Sequence, residues 1–227
     1  MTPEKTKDKI YNKDKLYNLD EAVKLVKDVS TVKFDASVDI AINLNVDPRH
    51  AEENIRISTS LPNGTGRVVK VLVLAEGSKV QEALDAGADF CGSKEYIDKI
   101  KGGWSDIDKI VATPNLMPDL GKIGKILGPK GLMPNPKSGT VTMDVAKAVT
   151  DLKAGMVELR VEKAGIVHTV CGKVSFADSA IIENILKIMD SLTKSRPPSV
   201  KGQFIEKICI SSTMGPGIKV NINSIDG

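Results

Sequence analysis

The sequence has few residues that could hold a metal ion or form a disulfide framework. It contains three cysteines, Cys91, Cys171 and Cys209, which lie far apart and show no C-x-x-C spacing. Only two histidines, His50 and His168, could join them as ligands. Zinc sites and disulfide-rich folds need closer and more regular spacing of these residue types. We therefore expect no metal site, no disulfide and a reducing compartment such as the cytoplasm.

Long apolar segments are also missing. The longest apolar run, from Val68 to Ala75, is interrupted by Lys70 and is far shorter than the ~20 residues that cross a bilayer. The first 15 residues, MTPEKTKDKIYNKDK, are polar and lack the apolar centre of a signal peptide. We expect neither a leader nor a membrane partner.

Charge of one sign is not in excess. Lys and Arg number 32 against 29 Asp and Glu, so the formal net charge is only +3. A global basic field that would attract phosphate is therefore absent. If the chain binds RNA, it must do so through a local site. The length of 227 residues allows one large or two small folded domains.

No complete nucleotide-binding motif is present. GLMPNPKS, residues 131–138, departs from G-x-x-x-x-G-K-[ST] at one position, where Pro136 removes a backbone N–H, and Pro134 removes another. The turn AEGSKV, residues 75–80, has one glycine instead of G-x-G-x-x-G. A nucleotide-binding module in this part of the chain is thus a disfavoured alternative. The segment 127–140 has three Gly, three Pro, two Lys and no acid, which favours a rigid basic surface loop.

Catalytic groupings are equally scarce. The nearest one places Asp47, Glu52 and Glu53 beside His50, on a turn that follows a strand. A solvated turn is the better interpretation, because no nucleophile and base stand together there. We expect no enzyme activity, no catalytic residue and no cofactor.

Both ends of the chain show the alternation typical of antiparallel strands. Every even position from Val32 to Val46 is apolar, which predicts a long strand with one buried face. Residues 156–171 predict a hairpin that turns at 163–165, and residues 178–194 predict a long amphipathic helix. Residues 203–211 and 217–223 predict two closing strands.

The middle of the chain follows a different pattern. VVKVLVLA, residues 68–75, is typical of a strand buried on both faces of a parallel sheet, and helices and short strands alternate after it. We therefore predict two domains of α+β and α/β class. Residues 1–66 plus 156–227 form an α+β domain with an antiparallel sheet and helices, and residues 67–155 form an inserted Rossmann-like α/β domain. Gly66 and Gly155, at the two crossings, are the predicted hinge.

Five segments together resemble one known family. They are DPR (47–49), LPNGTG (61–66), LGPKGLMPNPKSGTV (127–141), GIVHTVCGKVSF (165–176) and ISSTMGPGIKV (210–220). They occur in the same order in the ribosomal protein L-one family, the stalk proteins of the large subunit. The resemblance runs from the helix that follows Asn18 to the final strand, and the two-domain shape is also that of the family. The chain is identified as a bacterial member.

The resemblance implies a function and partners. Members bind a stalk element of large-subunit (23S) rRNA as structural constituents of the ribosome, and help deacylated tRNA leave the exit site. Bacterial members also repress translation by binding the leader of their own operon mRNA. By this resemblance we expect a ribosome-bound cytoplasmic protein that is a monomer when free.

The resemblance also implies the rRNA-binding residues. They are Lys33, Phe34 and Ser37 on the long strand, His168 and Lys173 on the hairpin, and Ser211, Thr213, Met214 and Gly215 near the C-terminus. Hydroxyls and a close backbone approach suit 2′-OH and sugar contacts, apolar side chains suit ribose or base faces, and lysines suit phosphate. In the loop 127–140, Lys130 and Lys137 are candidates for contact with tRNA. The alternative, that this loop orients the two domains, stays open.

Each of these residues also has a purely structural interpretation. Phe34, on the apolar side of its predicted strand, would be a core residue, His168 an ordinary strand histidine and Met214 a gap filler. A second functional alternative is a general RNA chaperone without a defined target. Such a protein would bind any structured RNA with similar strength and with a steep salt dependence.

Overall fold

The computed structural model describes residues 11–50 and 52–225. In it the chain forms two compact units: the first combines the residues up to Gly66 with those from Val157 onward, and the second is Arg67–Met156. The boundary predicted from the sequence lies between residues 155 and 156. That the two units are independently folding domains stays a prediction.

The helices and strands of the described residues follow one another in this chain order. They are α1 Leu19–Val29, β1 Ser37–Leu44, β2 Arg56–Ser60, β3 Val71–Leu74, α2 Ser78–Asp85, β4 Phe90–Gly92, α3 Lys94–Lys101, β5 Lys109–Ala112, α4 Met117–Lys122, α5 Gly124–Leu127, α6 Val145–Lys153, β6 Met156–Arg160, β7 Ile166–Lys173, α7 Asp178–Lys194, β8 Ile205–Ser212 and β9 Ile218–Val220. Short 3₁₀ turns lie at Pro114–Leu116, Pro136–Ser138 and Ile222–Ser224.

The first unit is built on an antiparallel sheet in the order β7-β1-β8-β9. Strand β1 alternates strictly, so that Val38, Ile40 and Ile42 are buried while their neighbours face outward. The buried side chains pack with the apolar faces of α1 and α7 in one core. Each fully buried aliphatic side chain contributes about 1.5–3 kcal/mol of transfer free energy, so this face defines the fold. In the described part of the chain, the opposite face carries no helix and stays open.

A buried amide ties α7 to the rest of the first unit. Asn184 is fully buried, and its side chain donates to the carbonyls of Cys171 at 2.8 Å and Gly64 at 3.0 Å. Its carbonyl oxygen accepts from the Asn63 N–H at 3.1 Å. Because each buried polar atom has a partner, the amide fixes the turn at 61–66 against β7 and α7.

The second unit has a parallel sheet in the order β4-β3-β5. Leu72 and Leu74 of β3 face a core that includes α3 and α4, while Val71 and Val73 face a core that includes α2 and α6. Burial on both faces explains the continuous apolar run in the sequence. The predicted fold class, an antiparallel α+β part and a doubly wound α/β part, is confirmed.

The predicted long strand was wrong at its start. Strand β1 begins at Ser37, and the backbone bends at Lys33 and Phe34 before it, so these two residues do not lie on the strand. The carboxylate of Asp35 accepts from the N–H and the hydroxyl of Ser175, at 3.1 and 2.9 Å, and this anchor holds the segment off the ladder. Phe34 is 57% exposed, so its interpretation as a core residue was also wrong.

The predicted hairpin at 156–171 was wrong in its pairing. Strand β6 pairs with β2 in a separate two-stranded sheet, and β7 pairs with β1. A single bridge, Val161 to Val167, joins the two sides of the turn. Strand β7 pairs with β1 along most of the length of both strands. The many cross-strand contacts of this pairing stabilise it more than a hairpin with β6 would.

Candidate nucleic-acid interface

The open face of the first unit's sheet presents polar side chains in register across three strands. On β1 these are Ser37 and Asp39, two residues apart on the outward side. Ser37 lies opposite Lys173 of β7, and Asp39 lies opposite Ser211 of β8. Directly opposed residues share a face, with Cβ atoms ~4.5–5.5 Å apart. The register therefore brings residues that are more than 130 positions apart in sequence onto one surface.

Ser37 is the centre of a hydrogen-bonded group at the end of this face. Its N–H donates to Thr213 Oγ1 at 3.0 Å, and its carbonyl accepts from the Thr213 N–H at 2.9 Å. The ammonium group of Lys173 donates to Ser37 Oγ at 2.9 Å and lies 3.4 Å from the carbonyl of Asp35. The two bonds between Ser37 and Thr213 extend the pairing of β1 with β8 one residue beyond Ser212, where β8 ends. Together with the Lys173 bond, they hold one ammonium group and two hydroxyl groups close to each other.

The turn after β8 has an unusual backbone. Met214 has φ of 62°, and it is the one non-glycine residue with positive φ among residues 11–50 and 52–225. Its side chain is 83% exposed, so burial within the protein does not hold it there. An L-residue in the left-handed region is strained by roughly 1–2 kcal/mol. Such strain is typical of functional sites, where the side chain is displayed for a partner.

Gly215 follows because no side chain fits at its position. A Cβ atom there would lie 2.2 Å from Ser212 Oγ and 3.1 Å from the Ser212 carbonyl. The Gly215 N–H donates to that same carbonyl at 2.8 Å, which closes the turn. The close packing of the turn against Ser212 therefore requires glycine at this position.

Asp39 brings a negative charge to this otherwise polar and basic face. Burial raises the pKa of its carboxyl above the ordinary value of 3.8, while the positive charges of Lys173 and His168 oppose that shift. Removal from water has the larger effect on the pKa. In the free protein, the attraction of these two residues therefore does not fully offset the cost of burying the carboxylate. Sequence reasoning placed Asp39 on the solvent-facing side of its strand but did not select it as a site residue.

The structure brings most of the predicted rRNA-binding residues onto this face and its rim. Ser37, Lys173 and Thr213 are joined directly, and Ser211, Met214 and Gly215 belong to the same end of β8. His168 is exposed farther along β7, opposite Ala41. Lys33 and Phe34 are exposed on the bend before β1. Their part in binding stays a prediction.

Sequence reasoning missed Asp35 and Ser175. These residues support the bend that presents Phe34, through the two bonds from Ser175 to the Asp35 carboxylate. No local signal could have found them, because they lie 140 residues apart. The pairing of β1 with β7 brings them together.

Gly66, one of the two predicted hinge residues, packs against Lys173 of the candidate interface. It has φ of +71°, and a Cβ atom on it would lie 2.7 Å from Lys173 Cγ and 3.0 Å from the Phe176 ring. The other, Gly155, has φ of 99°. Both positions favour glycine on backbone grounds. Their role as a hinge stays a prediction.

In the second unit, the Gly/Pro loop is anchored by its own polar residues. The Asn135 N–H donates to Thr140 Oγ1 at 2.8 Å, and Asn135 Oδ1 accepts from the Lys137 N–H at 2.9 Å. Ser138 and Thr140 are buried, whereas the side chains of Lys130 and Lys137 are exposed. The loop therefore presents two lysines from a braced backbone.

Other kinds of site are not found. Among the residues that the structure describes, no group of His, Cys, Asp and Glu could hold a metal ion. Over the same residues, no helix is long and apolar enough to cross a membrane.

Hydroxyls, lysines and exposed apolar side chains are the groups with which proteins contact structured RNA, so these features point to the class of RNA-binding proteins. The chain belongs to the ribosomal protein L1p/L10e family, whose sequence profile matches residues 26–216. A relative from Chlorobium phaeobacteroides (strain DSM 266 / SMG 266 / 2430), the "Large ribosomal subunit protein uL1", is 55% identical over 188 residues, which are 83% of this chain and 82% of the relative. The predicted family is confirmed. The chain is therefore an RNA-binding ribosomal protein with a structural role, and the prediction that it is not an enzyme is confirmed by its family.

Proposed function

We propose that the open sheet face of the first unit binds the stalk element of large-subunit rRNA. The observation that carries this proposal is the hydrogen-bonded group of Ser37, Lys173 and Thr213 beside the strained, exposed Met214. Hydroxyls recognise ribose 2′-OH groups, the lysine meets phosphate, and Met214 and Phe34 cover sugar or base faces. Recognition by local fit is consistent with a net charge of only +3.

The same site would serve the regulatory role. If the leader of the operon mRNA mimics the rRNA element, both RNAs occupy one surface and exclude each other. Repression of the chain's own operon then requires no second site. Competition of an unlabelled leader fragment against a labelled rRNA fragment should displace it completely, with a single binding isotherm.

Exit-site tRNA would meet a different part of the chain. Lys130 and Lys137, displayed from the braced loop of the second unit, provide two cations for its phosphate backbone. The alternative is that this loop orients the two units. Reversing both charges, Lys130→Glu with Lys137→Glu, should slow tRNA release on the ribosome and leave the affinity for an isolated rRNA fragment unchanged. An unchanged rate of tRNA release would remove these lysines from the tRNA contact.

The primary proposal is tested by titrating a fluorescent stalk rRNA fragment with the protein, beside an unrelated hairpin of the same length, over a series of salt concentrations. We expect strong preference for the stalk fragment and a shallow salt slope, because few phosphates are contacted. Equal affinity for both RNAs, with a steep slope, would instead identify a general RNA chaperone.

A further inference from the structure

A hollow of about 470 Å³ lies over the β8–β9 side of the same sheet. Residues of both strands line it, together with the segments that precede α1 and follow β9; those used below are Leu16, Lys207, Cys209, Lys219, Ile222 and Asn223. Its volume falls within the ~300–1,000 Å³ typical of small-ligand pockets. None of the predicted rRNA-binding residues lines it.

The floor of the hollow continues the open face that carries the candidate interface. Lys207, Cys209 and Ser211 are alternate residues of β8, so they point to the same side of the sheet. Lys219 of β9 lies directly opposite Cys209. Successive outward positions on a β-strand are ~7 Å apart, so Cys209 is the next outward position after Ser211. RNA that contacts Ser211 can therefore reach Cys209 with its next nucleotide.

The chemistry of the lining suits a nucleotide rather than a simple anion. Leu16, 59% exposed, and Ile222 provide apolar walls, and Asn223 provides an amide that can pair with a base edge. Two cations, Lys207 and Lys219, are balanced formally by Asp14 and Glu206 in the same lining. A neutral base with a single phosphate matches this mixture better than a highly charged ligand does.

Both lysines can turn to phosphate at little cost. Lys219 Nζ lies 3.5 Å from Asp14 Oδ1, whose side chain is 93% exposed, and exposed pairs of this kind contribute little stability. The ammonium group of Lys207 forms no ion pair with any residue in the described part of the chain. An RNA phosphate would replace the weak Lys219–Asp14 contact and would give both ammonium groups charge-assisted hydrogen bonds.

We infer that this hollow receives one unstacked nucleotide of the bound RNA, with its base over Cys209 between Leu16 and Ile222 and its phosphate at Lys207 and Lys219. Sequence-specific RNA recognition commonly uses splayed-out bases in this way. The inference rests on the proposed function and enlarges its footprint from the Ser37 group across the sheet to β9.

The Cys209 thiol allows a direct experiment on the unmodified chain. Free and RNA-saturated protein are alkylated with iodoacetamide, the rates at each cysteine are followed by peptide mass spectrometry, and binding is monitored by anisotropy in the same samples. We expect the stalk rRNA fragment to slow alkylation of Cys209 roughly fivefold or more, because thiol reactivity requires access. Half-buried Cys91 of the second unit is the reference, and its rate should not change.

Charge reversal gives an independent readout. Lys207→Glu with Lys219→Glu should weaken binding of the stalk fragment and lower the salt slope by about one for each phosphate that the variant no longer neutralises. The matched control is Lys24→Glu, an exposed lysine on α1, which packs on the covered side of the sheet. It should leave both affinity and slope nearly unchanged.

The outcomes are distinguishable. Tight binding with an unchanged alkylation rate at Cys209 would overturn the inference and leave the proposed function standing. Tight binding by the Lys207→Glu, Lys219→Glu protein, with an unaltered salt slope, would also overturn the inference and leave the proposed function standing. No preference for the stalk fragment would overturn the proposed function, and the inference with it.

Discussion

Replacing Met214 by glycine should raise stability and lower RNA affinity at the same time. The left-handed backbone at φ 62° strains a non-glycine residue by roughly 1–2 kcal/mol, which glycine relieves. Glycine also gains entropy in the unfolded chain, which offsets roughly 0.5–1 kcal/mol of that relief. Because the side chain is 83% exposed, its loss removes little burial within the protein. The free energy of unfolding should therefore rise by about 0.5–1 kcal/mol.

The same exposure sets the expected loss of affinity. Most of the Met214 surface is available to an RNA partner, and burying a methionine side chain is worth about 1.5–3 kcal/mol when complete. Partial burial against RNA then predicts a loss of about 1–2 kcal/mol, which is a roughly five- to thirtyfold rise in Kd.

Two assays and one control variant test the predicted changes in stability and RNA affinity. Urea unfolding gives stability, and anisotropy titration of the stalk rRNA fragment gives affinity. Met214→Ala keeps the backbone strain but removes most of the side chain, so it should lose affinity without gaining stability. The reasoning would be refuted by a Met214→Gly protein that binds as tightly as the original, or by one that is clearly less stable.

Further predictions concern the support of the site. Asn184→Ala removes three hydrogen bonds of a buried amide and should lower the free energy of unfolding by about 3 kcal/mol, seen as a lower urea midpoint with an unchanged slope. A decrease below about 1 kcal/mol would contradict the bonding described. Gly66→Ala places a Cβ atom 2.7 Å from Lys173 Cγ in a left-handed backbone and should destabilise by roughly 1–2 kcal/mol, whereas Gly131→Ala tests the backbone strain without the clash. Asp39→Asn should stabilise the protein at neutral pH. The Asp39 pKa is raised in the folded state, so the stability of the original protein falls as pH rises from 3.8 through the folded pKa. In unfolding curves of the two proteins at matched pH, the extra stability of Asp39→Asn should therefore vanish below pH 3.8. Extra stability of the variant that persists below pH 3.8 would contradict the raised pKa of Asp39.

The sequence predicted the fold best where local pattern and tertiary packing agree. The helix Asp178–Lys194 was predicted with both ends correct, because its apolar stripe and flanking residues are local signals. The buried strand Val71–Leu74 was recognisable from its continuous apolar composition. The fold class followed from the change between these patterns along the chain.

Prediction failed where distant partners decide the local structure. Alternation alone extended β1 back to Val32, although the Asp35–Ser175 contact bends the chain before Ser37. Likewise, β7 leaves its sequence neighbour and pairs with β1. For the candidate site, the family resemblance supplied the residues, while composition and spacing gave no reason to choose them. Asp39 and the hollow at Cys209 depend on strand register, which a single sequence does not reveal.

The most direct test of the central claim is hydroxyl-radical footprinting of the protein with and without saturating stalk rRNA fragment. The four side chains to compare are all exposed: Phe34 at 57% and Met214 at 83% on the proposed interface, and Met143 at 55% and Leu186 at 40% elsewhere. We predict strong protection of Phe34 and Met214, with unchanged oxidation of Met143 and Leu186. Full oxidation of Phe34 and Met214 in the saturated complex would contradict the proposal that this face binds the RNA.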